Sequence, residues 1–242
     1  MSAVRYIAVE GGERSGKTTS IQTITSAIQS ATNFDIISFR EPHYLRSQIL
    51  ELLEEFSQML LTYLKTSELS DYIFEINNEI INLFSVERKR RLEETVWPAI
   101  WNRTDTVVLS DRSVLSTWVY QYYMLVLAMD DIEQANVAHL RRRQYLQIVY
   151  EKLMLFCEPV NIPTKFLFMS GQRFQRQGDT AIIDTSYKLN LLTERSYREA
   201  IIKLPFLKGN VILFNPIDLN ISRDYYTFKT FSEDLVKRIG IV

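Results

Sequence analysis

The sequence predicts an α/β fold, three α/β/α layers around a five-stranded, mostly parallel sheet, and two observations carry that expectation. Short β-rich apolar runs recur along the chain, each separated from the next by a stretch with helical spacing. A glycine-rich turn, holding three of the seven glycines (Gly11, Gly12 and Gly16) and followed by Lys17, Thr18 and Thr19, joins the first run to the first helical stretch. In such sheets ligands bind at the carboxyl ends of the strands, so those ends are where chemistry is sought.

Residues 5–10 (RYIAVE) form a short run closed by a glycine pair, which reads as a buried strand, and helical spacing takes over from 18 to about 31. Residues 34–39 (FDIISF) give a second strand, ended by Glu41-Pro42. Ile49, Leu52, Leu53, Phe56 and Leu60 then follow the spacing of an amphipathic helix. A second long helical stretch is expected over 73–101, bent or ended by Pro98. Residues 104–112 (TDTVVLSDR) make a third strand with a carboxylate and an arginine at its end. Residues 116–156 read as mostly helical, 164–169 (TKFLFM) and 210–214 (NVILF) as the fourth and fifth strands, and 189–204 as the helix between them.

No repeat or Pro/Gly/Ser linker interrupts the 242 residues, so one domain, 1–242, is expected. Hydrophobic content of 46% and charged content of 24% are those of an ordinary soluble globular protein. A net charge of -1 supplies no field to steer the chain onto nucleic acid or an anionic membrane, so any anion site must come from a few placed residues. The basic runs at 89–91 and 141–143 accordingly read as solvated helix faces, and His43 and His139 are too few for a metal cluster. Trp97, Trp101 and Trp118 read as packing residues. The single cysteine, Cys157, fits a reducing interior, and no apolar run approaches the ~18 residues of a membrane span. A cytoplasmic location is the expectation.

Gly11, four residues, then Gly16-Lys17-Thr18 matches G-x-x-x-x-G-K-[ST], with a strand before it and a helix after. Glycines let successive N–H groups turn inward on phosphate oxygens, and the helix N-terminus adds to that field. The loop therefore predicts a P-loop NTPase-type fold that binds a nucleoside triphosphate, with Gly11, Gly12, Glu13, Arg14, Ser15, Gly16, Lys17, Thr18 and Thr19 around the nucleotide. Lys17 is expected on the β- and γ-phosphates and Thr18 on Mg²⁺. Arg14 is placed to lean over the transferring phosphoryl group, and Glu13 to accept a hydrogen bond from a hydroxyl of the second substrate. Asp111 is a second candidate for Mg²⁺ or its waters. Gly171 and Gly178 bracket Arg173 and Arg176, so 171–187 is a candidate lid over the triphosphate.

Arg112 beside Asp111, with Arg40 and Arg46, offers planar forks matched to phosphate. A phosphate acceptor is ionised at pH 7 and needs cations, whereas a hydroxyl acceptor needs a carboxylate base. The arginines favour a nucleoside monophosphate, and Glu41 keeps the hydroxyl acceptor open. Phe84 and Arg88 share one helix face, as a ring to stack on a base and a cation for its edge.

Together these residues resemble the thymidylate kinase family from about 6 to 197. EGGERSGKTT resembles its phosphate loop, FREP its segment after the second strand, NLFSVER its base-stacking helix motif and DRSVLSTWVYQ its Asp-Arg motif. The resemblance implies a kinase transferring the γ-phosphoryl of ATP to dTMP, with Mg²⁺, as a homodimer. It places Arg112 and Arg40 on the acceptor phosphate, Pro42 beside them, Phe84 and Tyr120 on thymine, Arg88 on the base edge, Ser116 near the ring's polar edge and Glu13 near the sugar 3′-hydroxyl. Lys17, Arg14, Asp111 and Arg112 are the implied catalytic set. The chain departs from the family at His43-Tyr44, at Ser113 and at Tyr122-Tyr123, where the last pair is expected to reshape the base pocket. The competing readings are a deoxynucleoside kinase with Glu41 as base, and a P-loop ATPase or switch. The absence of an N-K-x-D motif weighs against a guanine-nucleotide switch.

Overall fold

A computed structural model describes residues 4–12, 15, 17–42, 45–102, 105–132, 137–156, 162–169, 180–214 and 225–241. Five strands, β1 (Tyr6–Glu10), β2 (Asp35–Arg40), β3 (Thr106–Asp111), β4 (Thr164–Met169) and β5 (Val211–Phe214), form one sheet in the order β2-β3-β1-β4-β5. All four pairings are parallel. Strand side chains alternate between faces, and the core divides accordingly. Ile7, Val9, Val107, Leu109, Leu167 and Met169 face one side, under α1 (Lys17–Ala31) and α9 (Tyr225–Ile239). Tyr6, Ala8, Val108, Phe166 and Phe168 face the other, against Val114, Leu115 and Trp118 of α5 (Val114–Trp118) and Tyr197 of α8 (Thr180–Lys203). These are the expected three layers.

A third apolar cluster lies beyond the sheet, where α2 (Arg46–Thr66), α3 (Tyr72–Arg91) and α6 (Met124–Ile132) pack through Ile49, Phe56, Ile73, Ile80, Phe84, Leu125 and Met129. This assembly brings α2 and α3 over the strand ends and builds one wall of the site. The long stretch expected over 73–101 is interrupted before Pro98. A π-helical turn, Leu92–Val96, separates α3 from α4 (Trp97–Asn102) within one unbroken helical run, and Pro98, the second residue of α4, follows it directly. A residue with no N–H cannot donate in the regular ladder, which accords with the loosened turn before it. The helical region after β3 is likewise divided into α5, a π-helical turn at Val119–Tyr123, α6 and α7 (Val137–Met154). The sequence reading assigns no element after the fifth strand; the structure adds α9, whose Leu235, Val236 and Ile239 close the core over α1.

Two surface expectations change. The basic run on α3 is not uniformly solvated: Lys89 and Arg90 are exposed, but Arg88 and Arg91 are buried. Trp118 is fully buried as expected, whereas Trp101 is 62% exposed and stacks on Trp97. Among the described residues, no helix is long and apolar enough to cross a membrane.

Candidate active site

Gly11 follows β1 directly with φ at +149°, and a Cβ there would come within 2.8 Å of Ser15 Oγ and 3.0 Å of the Met169 carbonyl. Glycine is what lets the chain turn this closely past β4. Lys17, the first residue of α1, is buried and folds its ammonium over the loop. It donates to the carbonyls of Gly11 at 3.0 Å and Gly12 at 2.6 Å and to Ser15 Oγ at 3.4 Å. Thr18 is exposed in the first turn of α1, where free N–H groups and the helix dipole favour an anion. Backbone turn, cation and helix N-terminus thus fit a polyphosphate. Glu13, Arg14, Gly16, the side chain of Thr19, Arg173 and Arg176 lie outside the described residues, as do His43, Tyr44, Cys157 and the segment 170–179.

Across the strand ends, Asp111 pairs in register with Val9 of β1 and Arg40 of β2. Its Oδ2 lies 3.7 Å from Arg40 Nε, and its Oδ1 is buried with no hydrogen-bond partner. That orphaned oxygen, with the Thr18 hydroxyl, is a hard donor set of the kind Mg²⁺ uses when phosphates complete its coordination. Among the described residues no group of three or more His, Cys, Asp or Glu gathers as a metal cluster.

Arg112 follows with φ at +76°, a left-handed backbone that a non-glycine residue holds only at a cost of about 1–3 kcal/mol. Its N–H donates to the Val9 carbonyl at 3.0 Å and its own carbonyl accepts from Ser110 Oγ at 2.5 Å, so the strand ends impose the turn. The guanidinium consequently lies over the Tyr120 ring, 5.4 Å from its centroid, and donates to Ser116 Oγ at 3.4 Å.

Beside this turn is a cavity of about 480 Å³. Arg40, Glu41 and Pro42 line it from the end of β2, Arg46, Leu50, Leu53, Glu54 and Ser57 from α2, and Phe84 from α3. Arg112, Ser116, Thr117, Tyr120 and Gln121 complete the wall. The sequence-derived set Arg40, Pro42, Phe84, Arg112, Ser116 and Tyr120 therefore converges on one cavity, with Arg46 as a further cation.

Arg88 is placed differently from the expectation. It does not line the cavity but stands behind the wall, 4% exposed, with Nε and Nη2 on the two Glu41 oxygens at 3.1 and 2.8 Å and Nη2 also on Thr117 Oγ1 at 2.7 Å. Its guanidinium sits 5.2 Å from the Phe84 ring centroid. Arg91 closes on Glu41 from the next helical turn. Burial alone would raise the Glu41 carboxyl, but the charges and hydrogen bonds of Arg88 and Arg91 outweigh it and hold the group below the ordinary glutamate range. A carboxylate so held is a poor proton acceptor. The same four-residue spacing that suggested a base reader has built a support for Glu41, Thr117 and Phe84.

Gln121 is the functional candidate that spacing did not single out. It has no exposed surface, lines the cavity, and neither amide atom has a hydrogen-bond partner. A buried amide is rarely left unpaired, since each lost partner costs about 1–3 kcal/mol. The π-helical turn that carries Gln121 shifts it out of ordinary helical register, and Asn77 Nδ2 donates to its carbonyl at 2.9 Å. Tyr122 and Tyr123 do not line the cavity; Tyr122 packs edge-on with Trp118, Tyr150 and Tyr123, and Tyr123 lies tilted against Trp118, which corrects the expectation that they reshape the pocket.

Comparison with known proteins agrees with this geometry. Residues 9–141 match the family model described as thymidylate kinase. Thymidylate kinase of Oceanobacillus iheyensis is 32% identical over 131 residues, covering 54% of this chain and 52% of that one. Thymidylate kinase of Acholeplasma laidlawii is 28% identical over 131 residues, covering 54% and 57%. The chain thus spans about half the length of these relatives. The crystal structure of thymidylate kinase from Ehrlichia chaffeensis superposes with a TM-score of 0.53 at 16% identity, covering 98% of each chain, and supports the fold.

Proposed function

This chain belongs to the thymidylate kinase family, and on that premise we propose that it transfers the γ-phosphoryl group of ATP to dTMP, giving dTDP and ADP. The observation that carries the reading is the strained Arg112 turn, which sets a guanidinium at a cavity also lined by Arg40 and Arg46. A monophosphate acceptor is ionised already and needs these cations more than a base. A hydroxyl acceptor would need Glu41 as the base, and Glu41 is committed to Arg88 and Arg91.

Lys17 holds the transferring group and Arg112 fixes the acceptor in line with it, so that catalysis is positioning plus electrostatics. Thr18 and Asp111 would hold Mg²⁺, which when bound would further neutralise the phosphates. Arg14 belongs to the same proposal, leaning over the phosphoryl group, as do Glu13 near the sugar and Arg173 and Arg176 in a lid over the triphosphate. Phe84 stacks on the base, and the Tyr120 ring excludes a 2′-hydroxyl by bulk. Gln121 offers one donor and one acceptor to the base edge, a pair that thymine meets through O4 and N3–H. A homodimer completes the proposal, and sedimentation velocity tests it.

The experiment is ADP release from ATP and Mg²⁺ with dTMP, dUMP, dCMP, dGMP, UMP or thymidine as acceptor. Rapid turnover with dTMP and little with thymidine is expected. Phosphorylation of thymidine alone would replace the reading with a nucleoside kinase.

A further inference from the structure

The carboxylate that ends β1 has no part in the transfer as described, yet three hydroxyls converge on it. Glu10 has no exposed surface. Ser113 Oγ donates to its Oε1 at 2.5 Å, and Ser116 Oγ and Tyr197 Oη donate to its Oε2 at 2.6 and 3.1 Å. Ser113 also caps α5, accepting from the Leu115 N–H at 3.2 Å, so its rotamer is fixed from both sides. Ser116 directs its proton at Glu10 while its oxygen accepts from Arg112 Nη1. Tyr197 Oη also lies 3.2 Å from the Gly11 carbonyl, the first of the phosphate loop. The two serines bracket the turn that follows Arg112, and the carboxylate that orders them is covalently next to Gly11.

We propose that Glu10 is a positioning residue. Through Ser113 and Ser116 it sets the guanidinium of Arg112 against the acceptor cavity, and with Tyr197 it holds that turn in register with the phosphate loop. The inference rests on the reading of Arg112 as the acceptor-phosphate ligand.

A carboxylate suits the place because all its partners are donors. An amide of the same shape would turn an NH₂ group toward one of the hydroxyls and force it to rotate, releasing either the α5 cap or the Arg112 contact. The charged and titratable groups facing Glu10 are Arg112 beside it, Tyr197 from α8 and Glu41 from the end of β2. Burial raises its carboxyl to about 7, against the opposing pull of Ser113, Ser116 and Arg112. The ordering contact thus titrates near neutral pH.

The test is Glu10→Gln, with Ser113→Ala as a second variant that breaks one link and leaves the carboxylate. The expected result is a KM for dTMP raised about tenfold in Glu10→Gln and about threefold in Ser113→Ala, with the KM for ATP unchanged within about twofold. The pH profile of kcat/KM for dTMP should lose an inflection near 7 that the unsubstituted protein shows. The titration of dTMP itself is common to both proteins and cancels in the comparison. Equal changes in both KM values, or an unaltered pH profile, would overturn the proposal. The Arg112 Nε–H exchange rate, measured by NMR without nucleotide, separates this inference from the functional reading. If the unsubstituted protein does not use dTMP, the acceptor reading fails. Exchange about tenfold faster in either variant would still support the positioning role, and unchanged exchange would sink it.

Discussion

Glu10 and Glu41 are both almost wholly buried, both end or follow a strand at the carboxyl end of the sheet, and their carboxyls are pushed in opposite directions. Around Glu10 the direct partners are hydroxyls, and burial wins: the carboxyl rises to about 7. Around Glu41 two guanidinium groups overcome the burial, and the carboxyl falls. Depth of burial alone therefore predicts neither protonation state; the charge on the donors decides it. The same contrast assigns roles. Glu41 is part of the frame, holding α3 against the end of β2, whereas Glu10 sits in a balance that a single proton can tip.

The largest effect expected from this contrast is at Glu41. Glu41→Gln leaves Arg88 and Arg91 without their shared carboxylate, and breaking a buried ion pair from one side costs about 3–5 kcal/mol. Urea unfolding at pH 7 measures it. Because the folded carboxyl is depressed, its contribution is present above the unfolded pKa and is lost as pH falls through the folded value. The difference between the two proteins should accordingly shrink in acid. A substitution with little effect at pH 7 would mean that the two arginines find other partners.

At Glu10 the sign reverses. A folded carboxyl raised from 4.5 to about 7 contributes stability that is full below the unfolded pKa and lost as pH rises through the folded one. At 1.36 kcal/mol for each unit the loss approaches about 3 kcal/mol by pH 8. Glu10→Gln removes that dependence, so relative to the unsubstituted protein it should gain stability between pH 5 and pH 8 while losing acceptor affinity. Thermal unfolding at the two pH values checks the first half. A constant difference in Tm across the range would show that Glu10 has its ordinary pKa.

How much of this was legible in the sequence depended on the distance between the residues involved. The loop at 11–18 is contiguous, and its backbone requirement is local, so glycine spacing and a lysine were enough. The Asp-Arg turn was visible for the same reason. The sheet and its parallel sense followed from apolar runs alternating with helices. Partnerships between distant residues were not legible: Glu41 meets Arg88 only because α3 crosses the end of β2, and Glu10 meets Tyr197 across 187 positions. From spacing alone Arg88 is therefore a cation for the base edge, and Glu41 stays open as the base of the competing reading. The two π-helical turns were missed because helical spacing does not register one extra residue in a turn. Leu235, Val236 and Ile239 did carry a helical pattern, so α9 was readable but went unassigned.

The π-helical turn at Val119–Tyr123 gives the next contrast, since it directs neighbouring residues to different places. Gln121 enters the cavity with both amide atoms unpaired. Gln121→Leu roughly keeps the volume and removes the polar edge, so kcat/KM for dTMP should fall by about 1–3 kcal/mol, or roughly fivefold to 150-fold. A kcat/KM that does not move would assign the base contact to another group on the wall.

Tyr122, one position further on, should show the smallest effect. Its ring packs against Trp118 at 5.6 Å and Tyr150 at 5.5 Å between centroids, away from the cavity. Burial raises its hydroxyl pKa, with the neighbouring Tyr150 adding to the shift, so the phenol is neutral at pH 7. Tyr122→Phe deletes one oxygen and keeps the edge-on ring contacts, so stability should change by about 1 kcal/mol or less and the KM for dTMP by less than about twofold. The resemblance carries the opposite expectation, that the departure from the family at Tyr122-Tyr123 reshapes the base pocket. A loss of kcat/KM for dTMP equal to that of Gln121→Leu would restore that expectation. No change would place the boundary of the pocket between two consecutive residues, whose side chains leave a helical turn in directions about 100° apart or slightly less.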